Sequence, residues 1–145
     1  MKSAELPPIL VLEDCDEDFA TLTEVLCERR ATHPLHRSRD GEELIEILRA
    51  LQPIRPAFIL LDLNTPAMDG REALAQIKSD PVTRSLPVIV LTTSSHARDV
   101  QDCYAAGANA YHIKRVRYEE YRSMLATLID YWLGAVEGSL DKGGR

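Results

Sequence analysis

The sequence predicts an α/β fold in which a parallel, doubly wound five-stranded sheet lies between two layers of helices. Short apolar segments typical of buried strands alternate five times with segments whose apolar residues recur at helical spacing. Most strand segments also pass directly into polar residues or into a turn that carries Pro or Gly. Because crossovers between parallel strands are right-handed, this alternation favours a three-layer sandwich.

Five segments are predicted to form the strands. Four are short apolar runs, as expected of parallel strands that are buried on both faces. The other one, second along the chain, alternates apolar and polar residues and is expected at an edge of the sheet. In chain order the segments are residues 9–12, 35–39, 59–61, 87–91 and 110–113.

A helix is predicted after each strand from apolar spacing and from start and stop signals. Asp40 followed by Glu43 is an Asp version of the capping box, so Asp40 should begin a helix. Asp69 and Glu72 repeat this pattern, and Gly107 is suited to end the fourth helix in a left-handed conformation. The expected helices are about 17–30, Asp40 to Pro53, Asp69 to Asp80, through Val100 to Gly107, and about 116–133.

Composition restricts the class of protein. A chain of 145 residues with 45% hydrophobic and 28% charged residues fits one globular domain, expected over residues 7–133 with a flexible tail at 134–145. The net charge of −6 argues against a nucleic-acid partner, and apolar runs such as residues 86–91 are too short to span a membrane. The three cysteines lack metal-ligand spacing, so reduced thiols and a cytoplasmic location are expected.

Asp62 is the residue around which the other segments are interpreted. It ends the third strand, and Pro66 and Gly70 reverse the chain directly afterwards. An Asp at the carboxyl end of a buried parallel strand lies where open α/β sheets bind their ligands. We therefore expect Asp62 to be exposed where its strand leaves the sheet, and to be a chemical centre.

Polar residues end the other buried strands as well. They are Glu13 and Asp14 after the first strand, Thr92 and Thr93 at the fourth, and Lys114 after the fifth. Because these ends share one edge of the sheet, three carboxylates, a hydroxyl and an ammonium should converge there. A divalent cation would relieve the repulsion between the carboxylates, and an oxygen-only ligand set suits Mg²⁺. A carboxylate nucleophile, Mg²⁺ and a cation are the groups that form an aspartyl phosphate.

Several short motifs follow one another along the chain: Val11-Leu12-Glu13-Asp14, Asp40-Gly41-Glu42-Glu43, Leu61-Asp62-Leu63-Asn64 with Pro66 and Asp69-Gly70, Val90-Leu91-Thr92, and Ala106-Gly107-Ala108 leading to Tyr111 and Lys114. In this order and at these spacings they resemble the receiver domain of two-component response regulators over about residues 9–132. The resemblance implies the flavodoxin-like strand order 2-1-3-4-5.

The resemblance also implies the function. A single-domain response regulator would accept a phosphoryl group on Asp62 from the phosphohistidine of a sensor histidine kinase, and would be a signalling protein and not a turnover enzyme. The resemblance assigns Mg²⁺ to Glu13, Asp14, Asp62 and the backbone carbonyl of Asn64. The signal would leave the domain through protein contacts or onward phosphotransfer.

Further roles are implied for residues at the fourth and fifth strands. Thr92, Thr93 and Lys114 would hold the phosphoryl group. Thr92 and Tyr111 would form a switch, in which the hydroxyl of Thr92 turns toward the phosphoryl group and Tyr111 fills the space behind it. The chain departs from the family in one respect, because Arg115 stands where the family usually has a cis-proline. A trans Lys114–Arg115 bond is expected.

A second set of features is shorter: Asp62-Leu63-Asn64, Gly70-Arg71-Glu72, Ile77-Lys78-Ser79-Asp80-Pro81, the missing Pro after Lys114, and Tyr131-Trp132-Leu133. These features are similar to those of stand-alone regulators paired with bacterial and cyanobacterial phytochromes. This narrower similarity implies a bacteriophytochrome, which is a red-light photoreceptor, as the sensor kinase.

The last helix is apolar over more of its circumference than one sheet face can cover. Its expected core stripe consists of Tyr121, Leu125, Leu128 and Trp132. The apolar arc is widened by Tyr118, Met124, Ile129, Tyr131 and Leu133. We therefore expect a homodimer, formed through the face of helix four, strand five and helix five, or through helix five alone.

Two other functions share parts of this pattern. A haloacid-dehalogenase-like phosphatase also uses a strand-end Asp, Mg²⁺ and a Lys, but its second carboxylate is Asn64 here and its motif lies on the first strand. A flavin-binding module has the same topology, but the acidic segment from Glu13 to Asp18 would repel the flavin phosphate.

Overall fold

Five parallel strands form one sheet in the computed structural model of the chain, which describes residues 6–135. The strands are β1 (Ile9–Leu12), β2 (Leu35–Ser38), β3 (Phe58–Leu61), β4 (Val88–Thr92) and β5 (Ala110–Ile113). Their spatial order is β2-β1-β3-β4-β5, which confirms the predicted sheet and the implied order. β3 lies at the centre, and the register places Leu12 opposite Leu61, so that β1 and β3 end side by side.

Helices cover both faces of the sheet. They are α1 (Asp16–Glu28), α2 (Gly41–Leu51), α3 (Gly70–Ser79), α4 (Ala97–Ala105) and α5 (Tyr118–Asp130), and a π-helical turn, Tyr131–Ala135, continues α5. Because side chains alternate along a strand, Leu10 and Leu12 pack with α2, α3 and α4, whereas Ile9 and Val11 pack with α1 and α5. The strands β1, β3 and β4 are buried along their whole length, as their apolar sequences predict.

The helix starts predicted at Asp40 and Asp69 are confirmed. The Asp40 carboxylate accepts a hydrogen bond from the Glu43 N–H at 2.9 Å, and the Glu43 carboxylate accepts one from the Arg39 N–H at 2.7 Å. The reciprocal bond thus reaches one residue before the usual capping-box position. Asp69 caps α3 by accepting from the N–H groups of Arg71 and Glu72.

The end of α1 lies earlier than predicted. The helix stops at Glu28 because Arg30 adopts a left-handed conformation with φ 56°. The Ala31 N–H then donates to the Leu26 carbonyl at 2.9 Å, which is a Schellman-type helix end. Gly or Asn usually occupies the left-handed position, so Arg30 provided no signal in the sequence. Gly107, in contrast, ends α4 with φ 110°, as predicted.

The last helix differs from the prediction in two respects. The sequence places Ile129 in the surplus apolar arc, but Ile129 is buried in the core with Tyr121, Leu125 and Leu128. The helix begins at Tyr118 and not near residue 116, after a segment in which Val116 is fully exposed. Its surplus apolar surface is consequently smaller than the sequence predicted.

Three further expectations concern the predicted tail, the Lys114–Arg115 peptide bond and membrane-spanning helices. Gly134 and Ala135 belong to the π-helical turn, and the remaining ten residues of the predicted tail, 136–145, lie outside the described residues. Between residues 6 and 135 the cis peptide bond is Gln52–Pro53, so Lys114–Arg115 is trans, as predicted. In the same range, none of the helices combines the length and apolarity needed to cross a bilayer.

Gly70 allows α3 to begin directly against the end of β3. A Cβ atom at this position would lie 2.1 Å from the carbonyl oxygen of Asp62. The Gly70 N–H donates to the Leu63 carbonyl at 3.1 Å, so the two backbones are in close contact. The position of Asp62 therefore depends on the absence of a side chain at residue 70.

We predict that Gly70→Ala lowers the free energy of unfolding by about 2–4 kcal/mol, because the added methyl group displaces buried backbone. Urea denaturation measures this change. Gly134→Ala is the matched control, since a Cβ there would meet nothing within 4 Å. Equal stability of the Gly70→Ala variant and the wild type would contradict the close contact.

Candidate functional site

The sheet ladder continues past the ends of the strands and fixes the residues that follow them. The Asp62 N–H donates to the Leu12 carbonyl at 3.1 Å, and the Lys114 N–H donates to the Thr92 carbonyl at 2.7 Å. The backbone of these residues is therefore held by strand pairing and not by a free loop. The predicted convergence of Glu13, Asp62 and Lys114 follows directly from this register.

Asp62 is buried, and the expectation that it is exposed was wrong. Only 8% of the residue is accessible, because β3 is the central strand and the side chains of Glu13, after β1, and Lys114, after β5, lie beside its end. Its Oδ1 accepts from the Asn64 N–H at 3.2 Å, and its Oδ2 accepts from the Lys114 ammonium at 3.1 Å. A buried carboxylate requires such partners, since desolvation alone would disfavour its charge.

Three carboxylates are close enough to hold a metal ion together. Glu13, Asp14 and Asp62 each offer an oxygen, and these oxygens lie within 4.8 Å of one another. The set contains only hard oxygen donors, and the exposed Asp14 leaves one side open to water. Both features fit a divalent cation such as Mg²⁺, which retains several waters. The hydrogen bond from the Asn64 N–H to the Asp62 carboxylate holds the Asn64 backbone beside this cluster.

Lys114 is the cation at the centre of this cluster. Its Nζ donates to Glu13 at 2.7 Å, to Asp18 at 2.8 Å and to Asp62 at 3.1 Å, and its side chain is only 6% exposed. Burial alone would lower the pKa of Lys114. The charges and hydrogen bonds of these carboxylates outweigh burial and raise the pKa above its ordinary value.

Asp18 was missed by the sequence analysis. It lies in the first turn of α1, among three consecutive acidic residues that are also explained by the helix dipole. The start of α1 directs it toward Lys114, whereas its neighbour Glu17 is exposed. No spacing rule in the sequence distinguishes these two residues.

Glu13 has an altered acidity. Burial raises the pKa of its carboxyl to about 7, and the charge and hydrogen bond of Lys114 only partly oppose this effect. The N–H of Cys15 donates to the same carboxylate at 3.1 Å. From the β2 side, Arg37 donates its Nε to the Glu13 carbonyl at 2.9 Å and is paired with Asp16. Glu13 is thus held through both its side chain and its backbone.

The predicted phosphate-binding threonines differ in their surroundings. Thr92 is fully buried, and its hydroxyl accepts a long hydrogen bond of 3.4 Å from the side-chain amide of Asn64. Thr93 is exposed at the start of the loop that follows β4. Thr92 therefore lies beside the cluster, in indirect contact with Asp62 through Asn64.

Tyr111, the predicted switch residue, is bound to the loop after β4. Its hydroxyl donates to the Ser94 carbonyl at 2.9 Å. The Ser94 hydroxyl donates to Asp99 at 2.5 Å, and Arg71 of α3 pairs with Asp99 at 2.9 Å. The hydrogen bond from Ser94 and the one from Arg71 lower the pKa of Asp99. This connection between α3, the loop and α4 was not visible in the sequence, because its members lie on different elements.

Comparison with known proteins gives the same family. Residues 9–126 match the response regulator receiver domain family. Response regulator Rcp1 of Synechocystis sp. is 37% identical over 142 residues, which cover 94% of this chain and 97% of that protein.

Two solved structures are similar in fold as well as sequence. The phosphorylated cyanobacterial phytochrome response regulator RcpA has a TM-score of 0.88 and 33% identity, over 94% of this chain and 100% of that chain. The Mn²⁺-bound form of response regulator Rcp1 has a TM-score of 0.87 and 35% identity, over 93% of this chain and 100% of that chain. The flavodoxin-like receiver fold is confirmed, and one of these relatives binds a divalent cation.

The raised pKa of Glu13 predicts that cation binding depends on pH. The pKa lies above its ordinary value, so the proton is held up to about pH 7, and a protonated carboxyl is a poor metal ligand. Mg²⁺ affinity should therefore fall as pH decreases from about 7.5 to 5.5, with proton release on binding.

Calorimetric titration with Mg²⁺, in buffers of different ionisation enthalpy, measures this release. The Glu13→Gln variant is the control, because it has no proton to lose at this position. An affinity that is independent of pH in the wild type would contradict the prediction.

Proposed function

The chain belongs to the response regulator receiver domain family, and from this membership we propose that Asp62 accepts a phosphoryl group from a sensor histidine kinase. The observation that carries the proposal is the cluster itself. A buried strand-end carboxylate lies between a lysine ammonium and two further carboxylates that fit a divalent cation. Forming an aspartyl phosphate requires this combination of nucleophile, anion-binding cation and metal.

The proposed transfer is a single displacement at phosphorus. One carboxylate oxygen of Asp62 forms the new O–P bond, and the N–P bond of the kinase phosphohistidine breaks. The electron pair of that bond stays on the imidazole nitrogen, which takes up a proton. Asp62 reacts as a carboxylate, so no base is needed to activate it. Lys114 is placed to bind a phosphoryl oxygen as a point charge.

We assign Mg²⁺ to Glu13, Asp14, Asp62 and the backbone carbonyl of Asn64. When bound, Mg²⁺ would offset the negative charge of the transferred group. The support is the oxygen-only donor set, together with the Mn²⁺-bound form of Rcp1. The oxygens of Glu13, Asp14 and Asp62 also lie within 4.8 Å of one another, which supports their binding to one ion.

We propose that Thr92, Thr93 and Tyr111 report the phosphoryl group to the rest of the domain. A phosphoryl group adds about −1.5 to −2 of charge and three acceptor oxygens, so a nearby hydroxyl gains a reason to turn toward it. Thr92 is beside Asn64, and Tyr111 is bound to the loop that follows β4. Movement of this loop would therefore change the hydrogen bond of Tyr111.

We propose that the chain is a phosphoacceptor and not a phosphatase that hydrolyses many substrate molecules. Phosphatases of the haloacid-dehalogenase type place a second carboxylate two residues after the nucleophile, as general acid. Here that residue is Asn64, whose amide donates to Thr92. An amide cannot donate and recover a proton in the way that a carboxyl group does.

For the partner kinase we propose a bacteriophytochrome, acting in the cytoplasm without a nucleic-acid or membrane partner. The support is similarity to RcpA, which is described as a cyanobacterial phytochrome response regulator, and the net charge of −6. Membership of the receiver domain family implies a histidine kinase as partner, and the similarity to RcpA favours a phytochrome.

We further propose a homodimer through the face of α4, β5 and α5, or through α5 alone. β5 is an edge strand, and a groove of about 620 Å³ lies between it and α5. Large apolar side chains are exposed on these elements and in the segment that joins β5 to α5: Tyr104, Ile113, Val116 and Tyr131. Exposed apolar surface of this kind marks contact sites between chains.

Phosphotransfer from a panel of histidine kinases, including a bacteriophytochrome, tests the proposed function. Wild type should be labelled and Asp62→Asn should not. Asp40→Asn is the control, because Asn also caps a helix and this site lies outside the cluster. Label on the Asp62→Asn variant at the wild-type level would refute the role of Asp62.

Sedimentation of the same samples at micromolar concentration tests the dimer, and a monomer in both phosphorylation states would exclude it.

A further inference from the structure

The ammonium group of Lys114 has no free donor. A lysine ammonium has three N–H bonds, and Glu13, Asp18 and Asp62 each accept one of them. If Asp62 carries a phosphoryl group that Lys114 binds, the ammonium must give up one of its present partners. The proposed function therefore requires an exchange of partners at this nitrogen.

The three partners differ in how easily they can be released. The Glu13 side chain is 5% exposed, so an unpaired carboxylate there would be costly. The Asp62 side chain is 10% exposed, and it is the residue that would receive the phosphoryl group, so its hydrogen bond from Lys114 can pass to a phosphoryl oxygen. The Asp18 side chain is 31% exposed, so water can replace the ammonium as its hydrogen-bond donor. Between the two partners that do not receive the phosphoryl group, Glu13 and Asp18, Asp18 is consequently the one whose release costs least.

We propose that Asp18 is a positioning residue that competes with the phosphoryl group for Lys114. This inference rests on the proposed function of Asp62. In the unphosphorylated protein Asp18 shares the ammonium, and its negative charge opposes the arrival of an anion. The same negative charge favours a cation at the neighbouring carboxylates. Asp18 thus has opposite effects on the two ligands of the site, which a residue that only stabilises the fold would not have.

The alternative is that Asp18 merely stabilises the start of α1. It lies in the first turn with Asp16 and Glu17, where negative charge interacts favourably with the helix dipole. Glu17 shares this location but is exposed. Asp18→Asn and Glu17→Gln remove the same charge from neighbouring residues, and they differ in whether a partner of Lys114 is lost.

The test measures the binding of two probes, beryllofluoride as an analogue of the phosphoryl group, and Mg²⁺ alone. With Mg²⁺ saturating, Asp18→Asn should bind beryllofluoride about 3- to 10-fold more tightly than wild type, because the competing charge is lost. Without beryllofluoride, the same variant should bind Mg²⁺ about 2- to 5-fold more weakly. Glu17→Gln should change either affinity less than 2-fold, which is roughly the effect of one screened surface charge.

Two further variants complete the test. Asp18→Glu restores the charge and should return both affinities toward wild type. Asp18→Ser also removes the charge, and it replaces the Asn variant if that variant does not fold. Beryllofluoride binding that is unchanged or weaker in the charge-removing variant would overturn the inference. If a histidine kinase nevertheless phosphorylates Asp62 of the wild type, the proposed function still holds. If no histidine kinase phosphorylates the wild type, the proposed function itself is refuted.

Discussion

The site depends on the balance of charge around one buried ammonium. Lys114 is placed at the end of an edge strand, and it is the cation that contacts Glu13, Asp18 and Asp62. Without this contact, the buried carboxylates Glu13 and Asp62 would lack the cation that offsets the cost of burying their charge. Burial raises the pKa of Glu13 against the opposing effect of Lys114, whereas at Lys114 burial lowers the pKa and the neighbouring carboxylates together outweigh it. The cluster is therefore responsive to any cation or anion that enters it.

The scaffold holds this cluster through backbone contacts. The sheet ladder extends to Asp62 and Lys114, and Gly70 lets the next helix begin against the Asp62 carbonyl. Sites built on extended strands are more precisely positioned than sites on free loops. The loop after β4 is held differently. Its Ser94 carbonyl accepts a hydrogen bond from the Tyr111 side chain, and this contact is not part of the pairing between strands. The site thus combines residues held by strand pairing with a loop held by a side-chain hydrogen bond.

Much of this arrangement could be predicted from the sequence, because it follows from strand ends. Apolar runs located the strands, and parallel pairing then brought Glu13, Asp62 and Lys114 to one edge. What could not be predicted depends on packing between elements. The burial of Asp62 results from neighbours on both sides. The contact of Asp18 depends on the angle at which α1 begins, and periodicity does not encode that angle. The Arg71–Asp99 pair joins two helices that are distant in sequence.

Chemical trapping of the phosphoryl group would identify the residue that carries it. Borohydride reduces an aspartyl phosphate to homoserine, and mass spectrometry of peptides locates the altered residue. After phosphorylation by a cognate kinase in the presence of Mg²⁺, the account predicts homoserine at position 62, and unaltered Asp14 and Asp18. Homoserine at another position, or a phosphoryl group that survives on a histidine or serine, would contradict the account.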